Sequence, residues 1–200
     1  MVAFVVIIVV LWDKWRKKAI IEVGKSLGLH HLMEGEKLSY ALVPLMNKDS
    51  KFFVILLGYL NGYEAAYFDR VIAAGKDWFY QSTVMVKNPR VNIPMFQLKS
   101  RLYMMQNITQ RTCGDALDVP GRKNDMGSLR LSAQDPQWAM ERFSGANPQF
   151  FQKLQKGHWT IEGFQNSLFI YSWGRTIYPR KMRDFVREAG EIATEMYALL

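Results

Sequence analysis

One cysteine in 200 residues, Cys113, leaves no partner for an internal disulfide and no thiolate set for zinc or an iron–sulfur cluster. Nothing in the chain therefore requires an oxidising compartment. Gly-rich phosphate loops and the lysine that accompanies them are also missing, which removes the usual signature of nucleotide binding. Histidine is scarce at three, His30, His31 and His158, and the zinc-protease spacing of two His four apart does not occur. There is no internal repeat and no low-complexity tract. No cofactor is implied, and no constellation names a reaction.

What is present is apolar and basic. An apolar fraction of 49% over this length is ample for one globular domain with a possible appendage. Lys and Arg number 26 against 18 Asp and Glu, a net charge of +8 that favours nucleic acid, anionic lipid headgroups or an acidic protein face. Aromatic residues at 14% and eleven Met suit either a dense core or an adhesive surface.

The opening, "MVAFVVIIVVLWDKWRKK", carries no polar side chain from Val2 to Trp12; Lys14, Arg16, Lys17 and Lys18 then follow Asp13, with Trp15 among them. Three readings apply. A buried strand suits the Val and Ile content, but strands and helices do not go on alternating downstream as a parallel sheet requires. A cleavable leader would need a positive n-region before the apolar run and a small-residue cleavage site after it, and neither is there. A membrane anchor fits the order of hydrocarbon, indole and cations. At about 1.5 Å per residue the run covers roughly 16 Å, half of a bilayer core of about 30 Å. The anchor is thus completed either by residues upstream of Met1 or by burial against other membrane helices. On this reading Phe4, Ile7, Ile8, Leu11, Trp12 and Trp15 meet lipid or protein, and Lys14, Arg16, Lys17 and Lys18 meet headgroups. The positive-inside rule places the body on the cytoplasmic side of a bacterial inner membrane. Trp15, Ala19, Ile20, Val23 and Leu27 recur at helical spacing, so the anchor continues as an amphipathic helix to Gly28. The division expected is 1–28 for anchor and extension, and 29–200 for a soluble α+β domain.

Within that domain Asn61-Gly62 between two aromatic-rich runs marks a hairpin, because both residues tolerate positive φ. A turn at Ala74 to Asp77 leads to a third strand ending near Val86, and "MFQLKS" reads as a fourth strand of the same meander. "RLYMMQNITQR" suggests a short helix, residues 114–127 a mobile loop, and "SLRLSA" a strand. Asp135 before Pro136 and Asn147 before Pro148 open two short helices, the second ending at Gly157. "HWTIEGFQNSLFIYSWGR" gives two more strands. From Pro179 a last helix lines up Met182, Phe185, Val186, Ala189, Ile192, Ala193, Met196 and Tyr197 on one apolar face. The fold class predicted is α+β, antiparallel sheet packed with helices, behind an N-terminal hydrophobic membrane helix.

Gly28-Leu29, Gly58, Asn61-Gly62, Tyr67-Phe68-Asp69, Gln81-Ser82-Thr83-Val84 and Trp159-Thr160-Ile161-Glu162-Gly163 resemble a group of bacterial membrane-anchored proteins with an α+β domain of unknown function. Members usually carry an aromatic in place of Arg70 and a longer anchor. The resemblance implies an anchored domain and no active site.

Each candidate for chemistry has a simpler reading. His30, His31, Glu34 and Glu36 could ligate a metal, but Gly28 and Gly35 favour a solvated boundary loop. Cys113 would need a base such as His158, which reads as a strand-edge residue. Asp69 and Glu162 could converge as an acid/base pair, though backbone or turn hydrogen bonding is the default for both. Lys99, Arg101 and Arg111 beside aromatic strands invite comparison with a nucleic-acid sheet whose stacking motif is absent. Arg180, Lys181 and Arg183 at the start of the last helix oppose its dipole and form a second candidate contact. The function expected is a non-catalytic accessory subunit of a larger membrane complex. Its partners would be membrane lipids and integral membrane subunits, with no nucleic acid and no small-molecule substrate identified. The competing expectation is a membrane-attached enzyme or small-ligand-binding domain built from residues distant in sequence.

Overall fold

The computed structural model describes residues 2–32, 51–74, 77–100, 116–117, 129–172 and 175–200, and at 2–10, 51, 72–74, 77–78, 100 and 116–117 it describes the backbone alone. Glu34, Glu36, Cys113, Arg101, Arg111, the expected helix at 101–111 and the loop at 114–127 lie outside the described residues, Ala116 and Leu117 apart. The side chains of Phe4, Ile7 and Ile8 do too.

The chain is α+β. Helix α1 (Val2–Ser26) precedes β1 (His30–His31), β2 (Lys51–Leu60), β3 (Tyr63–Ala74), β4 (Asp77–Lys87), β5 (Ile93–Ser100), β6 (Ala116–Leu117) and β7 (Leu129–Ala133). Helices α2 (Pro136–Ser144) and α3 (Pro148–Lys156), strands β8 (Trp159–Gln165) and β9 (Ser167–Ser172), and helix α4 (Pro179–Leu199) complete it. Among the described residues the strands form one nine-stranded sheet in the order β1-β2-β3-β4-β9-β8-β5-β7-β6, with every pairing antiparallel.

The local signals act as their chemistry demands. Asn61 and Gly62, at φ 51° and 83°, close the β2–β3 hairpin. Asp135 accepts from the Trp138 amide and Asn147 from the Gln149 amide, each ahead of a proline at the start of its helix. Gly28 takes φ 76° and stops α1. The meander, by contrast, ends at β4. Strand β5 pairs with β7 and β8, and the β8–β9 hairpin enters between it and β4. A hairpin of two apolar strands, Trp159 to Ser172, buries both its faces there. It therefore takes the centre of the sheet and displaces β5 from its sequence neighbour.

The helices cover one face. Val54, Leu56, Tyr67, Val84, Phe96, Leu98, Ile161 and Ile170 meet Phe143, Phe151, Leu154 and the inward side of α4 in one core, each large apolar group contributing roughly 1.5–3 kcal/mol by burial. The apolar side of α4 is buried as the periodicity predicts, from Met182 to Tyr197, and Phe185 stacks on Trp159 with ring centroids 5.0 Å apart. Ala66, Phe68, Met85 and Phe169 form a smaller cluster on the other face.

Val5 to Val10, the residues on which the strand and anchor readings part, are helical. Among the described residues, however, no helix is long and apolar enough to cross a membrane. Asp13, Lys14, Arg16, Lys17 and Lys18 fall within the same helix and end its apolar length, which corrects the expectation of a transmembrane helix in these residues. The second half of α1 belongs to the core: Ile20 is fully buried, and Gly24 lies where a Cβ would overlap Leu56 Cδ1. Gly58 makes the matching approach from β2, where a Cβ would come 2.8 Å from the Gly28 carbonyl oxygen and 2.8 Å from Leu29 Cδ2.

Candidate functional site

At 100° per residue, Arg16, Ile20, Val23 and Leu27 share the side of α1 that faces the sheet, while Leu11, Lys14, Trp15 and Lys18 share the outer side. Leu11 is 60% and Trp15 55% exposed. Sequence periodicity assigned Trp15 to the packed stripe and Arg16 to the headgroup cluster; the structure exchanges them. Lys14, Lys17 and Lys18 are exposed.

Arg16 turns inward because the fold offers it a carboxylate. Its Nη1 lies 2.6 Å from Asp69 Oδ2, and Nη2 donates to the Ile177 carbonyl at 2.8 Å. Asp69 Oδ1 accepts from Tyr67 Oη at 2.9 Å and from Ser82 Oγ at 2.6 Å, while Ser82 Oγ accepts from the Ile177 amide at 2.9 Å. One network thus ties α1, β3, β4 and the segment entering α4. Burial disfavours the guanidinium charge, but the Asp69 hydrogen bond and charge overcome it and hold Arg16 above its ordinary pKa. Burial first, and the Asp69 charge second, push Tyr67 well above the ordinary tyrosine value.

Around this network lies an aromatic rim. Trp12 packs on Trp15, with centroids 5.1 Å apart, and edge-on to Tyr178 at 6.2 Å. Phe53 and Tyr80 pair at 5.8 Å beyond the Asp69–Ser82 rung, at the same end of the sheet. Of the exposed large apolar side chains among the described residues, all but Tyr59, which sits near the opposite β2–β3 turn, gather here. Arg180, Lys181 and Arg183 are exposed on the first turns of α4, and Arg183 Nη2 donates to Ser26 Oγ at 3.0 Å. The two basic candidates, more than 160 residues apart in sequence, therefore meet on one surface. Sequence reasoning missed Phe53, Tyr80 and Tyr178, whose exposure depends on where the sheet ends.

Asp69 and Glu162 do not converge. Asp69 pairs in register with Ser82, whereas Glu162 shares the opposite face with Thr83 and Tyr171. Glu162 Oε1 accepts from Gln97 Nε2 at 2.7 Å and from Tyr171 Oη at 2.8 Å. Arg70 donates to Gln81 Oε1 from Nε at 3.1 Å and Nη2 at 2.9 Å, with its guanidinium 5.5 Å from the Tyr171 ring centre. Burial and then the Glu162 charge push Tyr171 well above its ordinary pKa. In this buried polar band Gln81 Nε2 and Thr83 Oγ1 have no hydrogen-bond partner among the described residues. Consecutive Asp69-Arg70 between the apolar runs 65–68 and 71–74 of β3 was the available signal, since adjacent strand residues face opposite sides.

The remaining candidates stay apart. His30 and His31 sit on the edge strand β1 against Leu57 and Leu56, His158 occupies the turn into β8 at φ 53°, and Lys99 is buried. Among the described residues no group of three or more His, Cys, Asp or Glu is placed to hold a metal ion.

The sequence matches no family model and no curated protein. Among solved structures, the crystal structure of the mycobacterial trehalose monomycolate transport factor A, TtfA, is similar over 92% of this chain and 95% of that chain, with a TM-score of 0.59 and 13% sequence identity. At that identity the likeness is one of fold.

Proposed function

We propose that this chain is a non-catalytic accessory component of a larger bacterial membrane assembly, held at the membrane by the first turns of α1. The observation that carries the reading is the clustering of Leu11, Trp12, Trp15, Phe53, Tyr80 and Tyr178 at the end of the sheet nearest the N-terminal half of α1, whose first turns are apolar in sequence. A soluble surface rarely gathers so many large apolar groups unless they meet a partner or lipid. The fold likeness to a transport factor supports the same reading. The excess of Lys and Arg after the apolar run favours the cytoplasmic face of the inner membrane.

Extraction of native membranes in mild detergent tests the proposal. The full chain should co-purify with integral membrane proteins at a fixed ratio, and Leu11→Glu with Trp15→Glu should abolish it. Recovery as a lone monomer overturns the reading.

A second reading, a small-ligand-binding domain, is favoured by one observation: Gln81 Nε2 and Thr83 Oγ1 in the buried polar band, which have no partner among the described residues. A bound small molecule recovered from the purified chain by mass spectrometry, and lost from Gln81→Leu, would support it.

A further inference from the structure

The outer stripe of α1 and the first turns of α4 form one continuous surface, joined by the Trp12–Tyr178 contact at one point and Arg183–Ser26 at another. Its cations are Lys14 and Lys18 from α1 and Arg180, Lys181 and Arg183 from α4, all exposed. Arg187 pairs with Asp184 at 3.5 Å and Lys25 with Glu22 at 3.0 Å, so these acids are engaged locally; Asp13 on α1 and the half-buried Glu188 on α4 are the other carboxylates nearby, fewer than the cations. Among these cations stand the indoles of Trp12 and Trp15 and the phenol of Tyr178, side chains that settle where hydrocarbon gives way to headgroups. The apolar turns of α1 continue from the same surface.

We infer that this composite surface is a docking face for a bilayer containing anionic lipid, with the phosphates held by Lys14, Lys18, Arg180, Lys181 and Arg183 and the aromatic groups at headgroup depth. Charge complementarity and continuity with the apolar helix select a lipid surface as the occupant. The two patches act together, so α4 makes a contact that an anchor alone would not provide. This rests on the membrane-held reading above and specifies its lipid.

The test is partition of the full chain onto vesicles of phosphatidylcholine alone and of phosphatidylcholine mixed with phosphatidylglycerol. Burial of the α1 apolar turns contributes to both, so the informative quantity is the ratio of the two partition coefficients. That ratio should favour the anionic vesicles and fall as salt is raised. Replacing Arg180, Lys181 and Arg183 together by Gln should lower it on the order of 100-fold, at about 1 kcal/mol per cation near the surface. Arg90→Gln, at the opposite end of β4, should leave it unchanged. Equal binding to both vesicles, an unchanged ratio in the triple variant, or an equal loss in Arg90→Gln overturns the inference. If vesicle preference is absent while the triple variant loses co-purifying membrane proteins, the face belongs to an acidic protein; the accessory reading then survives and the lipid assignment does not.

Discussion

Arg16 Nη1 and Asp69 Oδ2 lie 2.6 Å apart, an ion pair between the N-terminal helix and the third strand of the sheet in which Asp69 is almost fully buried. Removing one member of such a pair leaves the other charge without its counterpart. Asp69→Ala should therefore destabilise the domain by about 3 kcal/mol. The double change Arg16→Met with Asp69→Leu should recover most of that loss. Urea denaturation of Arg16→Met, Asp69→Leu and their combination gives the coupling; additive effects would remove the pair as a structural tie.

The close approach of α1 to β2 makes two glycines unequal. At Gly58 a Cβ meets a backbone carbonyl that cannot step aside, so Gly58→Ala should cost about 1–3 kcal/mol. At Gly24 the obstacle is the end of the flexible Leu56 side chain, and alanine gains up to about 1 kcal/mol of helix propensity. Gly24→Ala should thus be the milder change. Thermal denaturation of the two variants ranks them.

Thr83 Oγ1 is buried without a partner among the described residues. Replacing it by the isosteric Val should leave stability unchanged or raise it by about 1 kcal/mol, because a desolvated hydroxyl is removed and no bond is lost. A loss of similar size in Thr83→Val would mean that the hydroxyl is satisfied in solution, and would favour the ligand-binding reading.

Alkaline pH should unfold the domain through its buried phenols. Burial raises Tyr67, Tyr171 and Tyr197 above their ordinary value, so near pH of about 10 they stay protonated in the folded state and ionise in the unfolded one. The unfolded chain then binds fewer protons and stability falls as pH rises, by up to about 1.4 kcal/mol per pH unit for each tyrosine, the full stabilisation being present below that pH. Denaturant midpoints measured from pH 8 to 11 should decline beyond the tyrosine range, and less steeply in Tyr171→Phe.

Features that depend on neighbouring residues were legible in the sequence: the Asn61-Gly62 turn, the two capped helices opening on Pro136 and Pro148, and the apolar face of α4. Features that depend on what lies across the sheet were not. Arg16 and Trp15 are adjacent in the chain, and only the register that puts Asp69 beneath the helix decides which of them turns inward. The same holds for β5, which reads as the next strand of a meander until the β8–β9 hairpin is seen to occupy the place beside β4. Asp69 and Glu162 were plausible companions as residue types, and strand parity separates them to opposite faces. The basic surface was legible as two fragments; that they adjoin follows from the crossing of α1 and α4.

Helix α1 runs unbroken from Val2 to Ser26 and is seated in the sheet at Ile20 and Gly24. Whatever grips its leading turns is therefore joined to the body through one stiff rod, about 37 Å from end to end, whose second half is packed in the body, and not by a slack tether. Inserting a single residue between Trp12 and Arg16 would swing the two ends by about 100° relative to one another. The helical phase of this short stretch acts as a compass for the whole domain.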